Sequence, residues 1–236
     1  MSSGNGIAIV VNCVIANNTA PASAGLHAVG GTHRIVANCT ILNNVAAEGE
    51  AGVTIGAGTL LTNCIIRGSG PGDEVHGDGS LVVFSNIEGG HPGVGNFDAD
   101  PLFADAAYRL SDASPCIDAG WTLGVPVDRP DLDGDGDVLE PVPFDLDGAP
   151  QFVDADAADT GCGAGAVVDV GAFEYPRGPA VEVVTGDLDG NGVVDAADLA
   201  IVLAHFGDAD CFADPNADGV VDADDITMIL VAWSRP

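Results

Sequence analysis

Val11-Asn12-Cys13-Val14-Ile15-Ala16-Asn17-Asn18 returns as Ala37-Asn38-Cys39-Thr40-Ile41-Leu42-Asn43-Asn44, and again as Thr62-Asn63-Cys64-Ile65-Ile66-Arg67-Gly68. A weaker copy, Phe84-Ser85-Asn86-Ile87-Glu88-Gly89, aligns when Ser85 is set against the three leading asparagines. The steps from Asn12 are then 26, 25 and 22 residues. Each copy joins a short apolar, β-branched run to Asn or Gly, strand formers followed by turn formers. Runs such as 6–11 and 79–84 supply further short strands, and no helical periodicity crosses residues 1–97. A period of this size built from short strands and turns means like units stacked on one another, a solenoid. Equivalent residues then form columns. Asn12, Asn38 and Asn63 are expected to make a ladder whose amides bond the next turn. Cys13, Cys39 and Cys64 are expected to form a second column on the other face, because neighbours alternate along a strand. Those thiols read as small buried hydrophobes rather than a metal or redox site, since no CxxC pair and no histidine in register accompanies them.

The repeat resembles the right-handed parallel β-helix of pectate-lyase-like and bacterial surface proteins, with one coil per repeat and about four coils in residues 1–97. The resemblance implies a mainly β fold. Enzymes of that architecture gather carboxylates on one exposed face. The candidate set here is Asp73, Glu74, His76, Asp78, Glu88 and His91, all in Gly- and Pro-rich surroundings. Two such carboxylates, suitably spaced, serve acid–base cleavage of a glycoside, and a lyase adds a base and a charge-neutralising partner. Arg67 is the one nearby base and the chain has no lysine, so these residues read first as polar corners of the coils. His27 and His33 stand isolated.

Residues 98–175 run through Asp98-Ala99-Asp100-Pro101-Leu102-Phe103, Tyr108-Arg109-Leu110, Ser114-Pro115-Cys116-Ile117-Asp118-Ala119-Gly120 and Asp169-Val170-Gly171-Ala172-Phe173-Glu174-Tyr175. This string resembles the stretch that closes β-helix repeats in bacterial surface proteins. Asp118 and Asp169 read as turn and backbone-capping groups. Between them lies an acidic insertion, 128–159. Its Asp131-Leu132-Asp133-Gly134-Asp135-Gly136-Asp137 opens like a calcium loop, but the ninth place is Leu139 and the twelfth Val142. A further ion there would need Glu140 or Asp145 as a late ligand. Cys116 and Cys162 flank the insertion and are the candidate disulfide, which leaves Cys211 over. Residues 176–185 are a short linker.

The last segment, 186–236, holds a second repeat, 27 residues apart. Its copies are Asp187-Leu188-Asp189-Gly190-Asn191-Gly192-Val193-Val194-Asp195-Ala196-Ala197-Asp198 and Asp214-Pro215-Asn216-Ala217-Asp218-Gly219-Val220-Val221-Asp222-Ala223-Asp224-Asp225. Loop places one, three, five, nine and twelve carry Asp or Asn in both, place six is glycine, and place seven (Val193, Val220) offers a backbone carbonyl. That is the ligand order of an EF-hand-type calcium loop. Leu199, Val202, Leu203 and Phe206, then Ile226, Ile229, Leu230 and Trp233, follow at helical spacing and predict one amphipathic helix after each loop. Asp195 and Asp222 sit where N-caps belong. No helical pattern precedes either loop. Two loop-then-helix units in about fifty residues resemble a type I dockerin domain, which implies two bound calcium ions and docking to a cohesin-like protein. The places that help dock cohesins are small here, Ala196-Ala197 and Ala223-Asp224.

Composition narrows the rest. Among 236 residues, 36 acids stand against 6 bases, all arginine, for a net charge of −30. Acids and bases number 6 and 2 in residues 1–97, 19 and 3 in 98–185, and 11 and 1 in 186–236, so the charge gathers where the loops are. No basic patch suits nucleic acid. No apolar run suits a transmembrane helix. Met1-Ser2-Ser3-Gly4 lacks the charged start of a secretion leader, and the chain is expected to continue upstream in its parent protein. The expectation is an extracellular or cell-surface, non-enzymatic β-helix protein attached through its calcium module, with polysaccharide a possible ligand. The alternative is a dockerin-bearing polysaccharide lyase or glycoside hydrolase.

Overall fold

A computed structural model describes residues 7–22, 24–30, 33–49, 51–70, 74–77, 79–129, 131–163, 165–176, 181, 183–216 and 218–233. In chain order its strands are β1 (Ile7–Val11), β2 (Val14–Ala16), β3 (Thr19–Ala20), β4 (Leu26–Ala28), β5 (His33–Ala37), β6 (Thr40–Leu42), β7 (Val45–Ala46), β8 (Val53–Ile55), β9 (Thr59–Thr62), β10 (Ile65–Arg67), β11 (Val75–His76), β12 (Leu81–Val83) and β13 (Asn86–Ile87). The α-helices are α1 (Ala196–Ala204) and α2 (Ala223–Ala232). The protein is mainly β, and every named strand pair is parallel.

Like strands of successive repeats lie side by side. One sheet runs β1-β5-β9-β12, a second β13-β10-β6-β2, a third β11-β8-β4, and β3 pairs with β7. Val36, Cys39, Ile41, Val53, Ile55, Leu61, Cys64, Ile66, Val75, Val82 and Ile87 from the three larger sheets meet in one apolar core. The cysteine column is part of it, with Cys39 and Cys64 fully buried and Cys13 packed against them. The Cys39 thiol, followed by burial, pushes the Cys13 thiol well above its usual range, which makes it a poor nucleophile.

Chain reversal uses left-handed residues in two columns. Asn12, Asn38 and Asn63 lie at φ 50°, 47° and 53°, and Asn17 and Asn43 at 59° and 52°. Asparagine tolerates this region better than other non-glycine residues. The ladder forms most fully one column over from the expected one. Asn44 accepts from the Asn18 backbone N–H (3.1 Å) and amide (2.9 Å), and donates to the Ile15 carbonyl at 2.9 Å. Asn63 reaches Asn38 at 3.4 Å, but it also takes the Trp121 N–H at 2.7 Å and donates to the Trp121 carbonyl at 3.0 Å. Asn12 donates to the Phe144 carbonyl at 2.6 Å.

The fourth repeat is one residue shorter than the sequence comparison suggests. Ile66 pairs with Ile87 and Thr62 with Val83, so Phe84 (φ 46°), not Ser85, occupies the Asn63 position. Apolar register decides this, because the other alignment would turn buried Ile87 out of the core.

Among the described residues, 98–176 form isolated bridges, one of them the parallel pair Trp121–Cys162, and one short 3-10 helix at Thr122–Gly124. The segment lies along the stack rather than adding strands to it. Leu110, Cys116, Ile117 and Val170 pack on Leu42 and Ile65, and the Val125, Val142, Phe152, Ala166 and Val168 cluster reaches Val11. Arg109 clips it, pairing with Asp105 (3.0 Å) and Asp147 (2.6 Å) beside the Phe173 ring.

The expected Cys116–Cys162 disulfide is not the one formed. Cys162 bonds Cys211 across 49 residues, while Cys116 is a free, fully buried thiol that accepts from the Asn86 amide at 3.3 Å. Cys162 bridges Trp121, and the Trp121 indole donates to the Cys211 carbonyl at 2.9 Å, which sets the two cysteines together. Leu123 packs into the apolar cluster of the terminal segment, beside Leu188, Val202 and Ile229. Among the described residues no helix is long and apolar enough to cross a membrane.

Candidate metal centre

Each terminal loop is folded by its own carboxylates. Asp187 accepts the N–H groups of Gly190 (3.0 Å), Asn191 (3.2 Å) and Gly192 (2.7 Å). Asp198, eleven residues on and fully buried, accepts those of Leu188 (2.8 Å), Asp189 (3.2 Å) and Asp195 (2.7 Å). The two ends of the loop are thereby drawn to one point. Asp189 and Asn191 each accept the N–H two residues on, at 3.1 and 2.9 Å, and so turn the backbone around that point. Gly192 at φ 86° supplies the sharp turn that a side chain would strain.

The second loop repeats the pattern. Asp214 accepts from Asp218 (3.3 Å) and Gly219 (2.7 Å), and Asp225 accepts from Asn216 (3.3 Å) and Asp222 (2.6 Å). Asn216 and Asp218 hold the N–H groups of Asp218 and Val220 at 2.8 and 3.0 Å, and Gly219 turns at φ 92°. Both loops then pass straight into helices capped alike. Asp195 accepts from Ala197 (2.7 Å) and Asp222 from Asp224 (2.8 Å), each at a φ of −141°. The third helical residue, Asp198 or Asp225, completes a capping box. Ninth- and twelfth-place residues therefore cap the helix and line the loop together.

Oxygens of Asp187, Asp189 and Asp198 lie within 4.8 Å of one another. Like charges at that separation repel by roughly 1–4 kcal/mol per pair, depending on screening. A hard divalent cation relieves this, and the all-oxygen donor set is the kind calcium takes. The second loop gathers no such trio of acids among the described residues, because its third place is Asn216, whose amide lies 3.3 Å from Asp218. Its electrostatic demand shows in burial instead. Asp214 and Asp225 are both buried, and desolvation, with Asp225 and Asp218 adding to it, pushes the Asp214 carboxyl up to about 6. Val193 and Val220 at the seventh places have exposed side chains.

The incomplete loop at 131–137 also brings acids together, though not in the twelve-residue order. Asp131, Asp133 and Asp135 form one group, and Asp128, Asp133 and Glu140 another, each within 4.8 Å. Glu140 is thus the late ligand candidate that the fold places here. Asp145 is elsewhere, accepting from Asp147 and Ala149 at 2.9 Å and from Glu174 at 3.0 Å. Asp128 was not legible as a site residue, since it precedes the loop and lies outside its register. Burial, then the charges of Asp135, Asp133, Asp137 and Asp128, push the Glu140 carboxyl up to about 7.

Of the candidate catalytic face, Glu74 and Glu88 serve the backbone. Buried Glu74 accepts the Ser69 N–H at 2.8 Å, and Glu88 accepts that of Gly68 at 2.6 Å. Arg67 is engaged by Asp98 at 2.6 Å and by Asn86 at 3.0 Å. His91 is half-buried beside the Pro92 carbonyl, and Asp73 and Asp78 lie outside the described residues. Asp169 holds the N–H groups of Asp118 (2.8 Å) and Tyr175 (2.6 Å), a backbone-capping role. Comparison with family models, curated proteins and solved structures finds no match for this chain.

Proposed function

We propose that this chain is an exported, non-enzymatic surface or matrix protein. In this reading it is a right-handed parallel β-helix carrying a dockerin-like module, which binds two calcium ions and attaches it to a cohesin-like partner. One observation carries the reading. Two loops 27 residues apart fold by the same side-chain-to-backbone bonds, each leads directly into a capped helix, and among the described residues no helix runs directly into either loop.

The ligands are Asp187, Asp189, Asn191, Val193, Asp195 and Asp198 for one ion. For the other they are Asp214, Asn216, Asp218, Val220, Asp222 and Asp225. Calcium offsets the mutual repulsion of these acids, so its binding energy becomes folding energy for a segment with little core of its own. Equivalent apolar residues of the two units, Leu203 with Leu230 and Phe206 with Trp233, are exposed although the helical pattern suggested burial. Only Val202 and Ile229 are fully covered on that pattern. The exposed pairs offer a repeated face for a partner. The Cys162–Cys211 bond suits an oxidising, extracellular setting. Glu74, Glu88 and Arg67, tied to backbone and to Asp98, favour a non-catalytic stack.

The test uses the full chain stripped by chelator. Added calcium is expected to raise helical circular dichroism to saturation, and immobilised cohesins are expected to retain the protein until chelator is added. Absence of any helical response would overturn the calcium reading. A normal response without retention on any cohesin would overturn the attachment.

A further inference from the structure

We propose that residues 128–140 form a third divalent-cation centre, built differently from the terminal pair and closed by Asp128 from upstream of its own loop. The proposal stands apart from the dockerin-like reading and goes beyond it.

Three observations converge. First, Asp133 belongs to both groups of closely spaced acids, so five carboxylates, those of Asp128, Asp131, Asp133, Asp135 and Glu140, meet around it. Second, Asp128 is fully buried, with one oxygen accepting the Leu132 N–H at 2.8 Å and its Oδ1 without a hydrogen-bond partner. Glu140 likewise has a buried oxygen, Oε1, with no partner. A buried, unpaired carboxylate oxygen is costly unless a donor or a cation meets it. Third, no base does so. Among the described residues none of the five acids makes an ion pair, and the exposed Arg129 turns its Nε to the Val138 carbonyl at 3.5 Å.

The loop backbone is already curled for the purpose. Asp131 accepts from Gly134 (2.9 Å) and Gly136 (3.4 Å), and Asp133 accepts from Asp135 (3.2 Å). The paired edge Val127–Pro141 and the Asp128 N–H to Glu140 carbonyl bond (2.7 Å) set the first and last ligands side by side. In an EF-hand loop a twelfth-place carboxylate closes the site. Here that place is Val142, and an antiparallel bridge brings Asp128 and Glu140 together instead. Five carboxylates on an irregular loop suit calcium, which tolerates irregular oxygen cages, better than the smaller and more exacting magnesium.

Calorimetric titration of the calcium-stripped full chain tests this, with calcium chloride as the probe. Three equivalents are expected for the natural sequence, two for Asp128→Asn combined with Glu140→Gln, and at least one for Asp187→Asn combined with Asp214→Asn. If burial makes the first pair unable to fold, Asp133→Asn, at an exposed position, is expected to remove the same equivalent. Limited proteolysis gives a second readout, with calcium protecting the 131–137 loop in the natural chain and not in Asp133→Asn. Equal stoichiometry for the natural chain and Asp133→Asn, or calcium-independent cleavage of the loop, would overturn the proposal. Loss of the terminal equivalents alone would leave it standing and count against the dockerin-like reading.

Discussion

Asn63 shows how one residue joins the stack to its cover. It is fully buried at φ 53°, and it exchanges two hydrogen bonds with the Trp121 backbone, as a neighbouring strand would. Asn63→Ala leaves the buried Trp121 N–H unpaired, while the Trp121 carbonyl keeps the Gly124 N–H at 3.0 Å, and it puts a Cβ-bearing residue without polar compensation in the left-handed region. The expected loss is about 1–3 kcal/mol in chemical denaturation. Asn63→Gly loses the same bonds but relaxes the backbone, so it is expected to be the milder variant by roughly 1 kcal/mol. An alanine variant as stable as the natural chain would show that the Trp121 bonds contribute nothing net. Residues at this scale were legible when their partners were local. The proposed loop ligands from Asp187 to Asp225 follow a fixed spacing, and spacing can be read. Asp128 could not be read this way, because its tie to Glu140 depends on an antiparallel bridge. The partner of Cys162 depends on where Trp121 docks.

At the scale of elements, strand columns and helix starts follow from the chain itself, while their ends depend on packing. The Asn and Cys repeats place β2, β6 and β10 correctly, but polar letters alone misaligned β13 by one residue, and only the burial of Ile87 fixes it. The helices begin where Asp195 and Asp222 predict. Their outer apolar residues are exposed, because each short helix covers a core only a few side chains wide. A dual role for the ninth place follows, and one pair of variants separates its halves. Asn is as good an N-cap as Asp but carries no charge. In saturating calcium, Asp195→Asn is expected to weaken calcium affinity and to lose only the stability that RT ln of the affinity ratio accounts for. Asp195→Ala is expected to lose about 1 kcal/mol besides. Equal stability of the two variants would remove the cap from the account.

In the whole molecule, the terminal helices are held to the stack by the Cys162–Cys211 bond, which contributes roughly 2–4 kcal/mol by restricting the unfolded chain. The cover segment buries carboxylates that make no ion pair among the described residues. Desolvation, with the charges of Asp118 and Asp145 adding to it, raises the Asp169 carboxyl to about 7. Burial and the charge of Asp169 raise Glu174 well above its usual range. Burial, with Asp159 and Asp154, raises Asp118 to about 6. An acid whose folded-state pKa is raised holds its proton more tightly in the folded chain than in the unfolded one, where it titrates near 4. Its contribution to stability is therefore full below about pH 4 and is lost as the pH climbs through 6 and 7. The ion-paired Asp98 and Asp105 are shifted the other way, but they act only below the ordinary carboxylate range and leave the interval from 5 to 8 to these buried acids together with Glu140 and Asp214, which are raised likewise. In chelator, so that calcium does not enter, the unfolding free energy is expected to rise as pH falls from 8 to 5, by up to about 1.4 kcal/mol per unit for each such group. Asp169→Asn, which keeps an acceptor for one of the two N–H groups, is expected to flatten that slope. A slope of the opposite sign, or one that Asp169→Asn leaves unchanged, would place the pH response elsewhere than in this buried cluster.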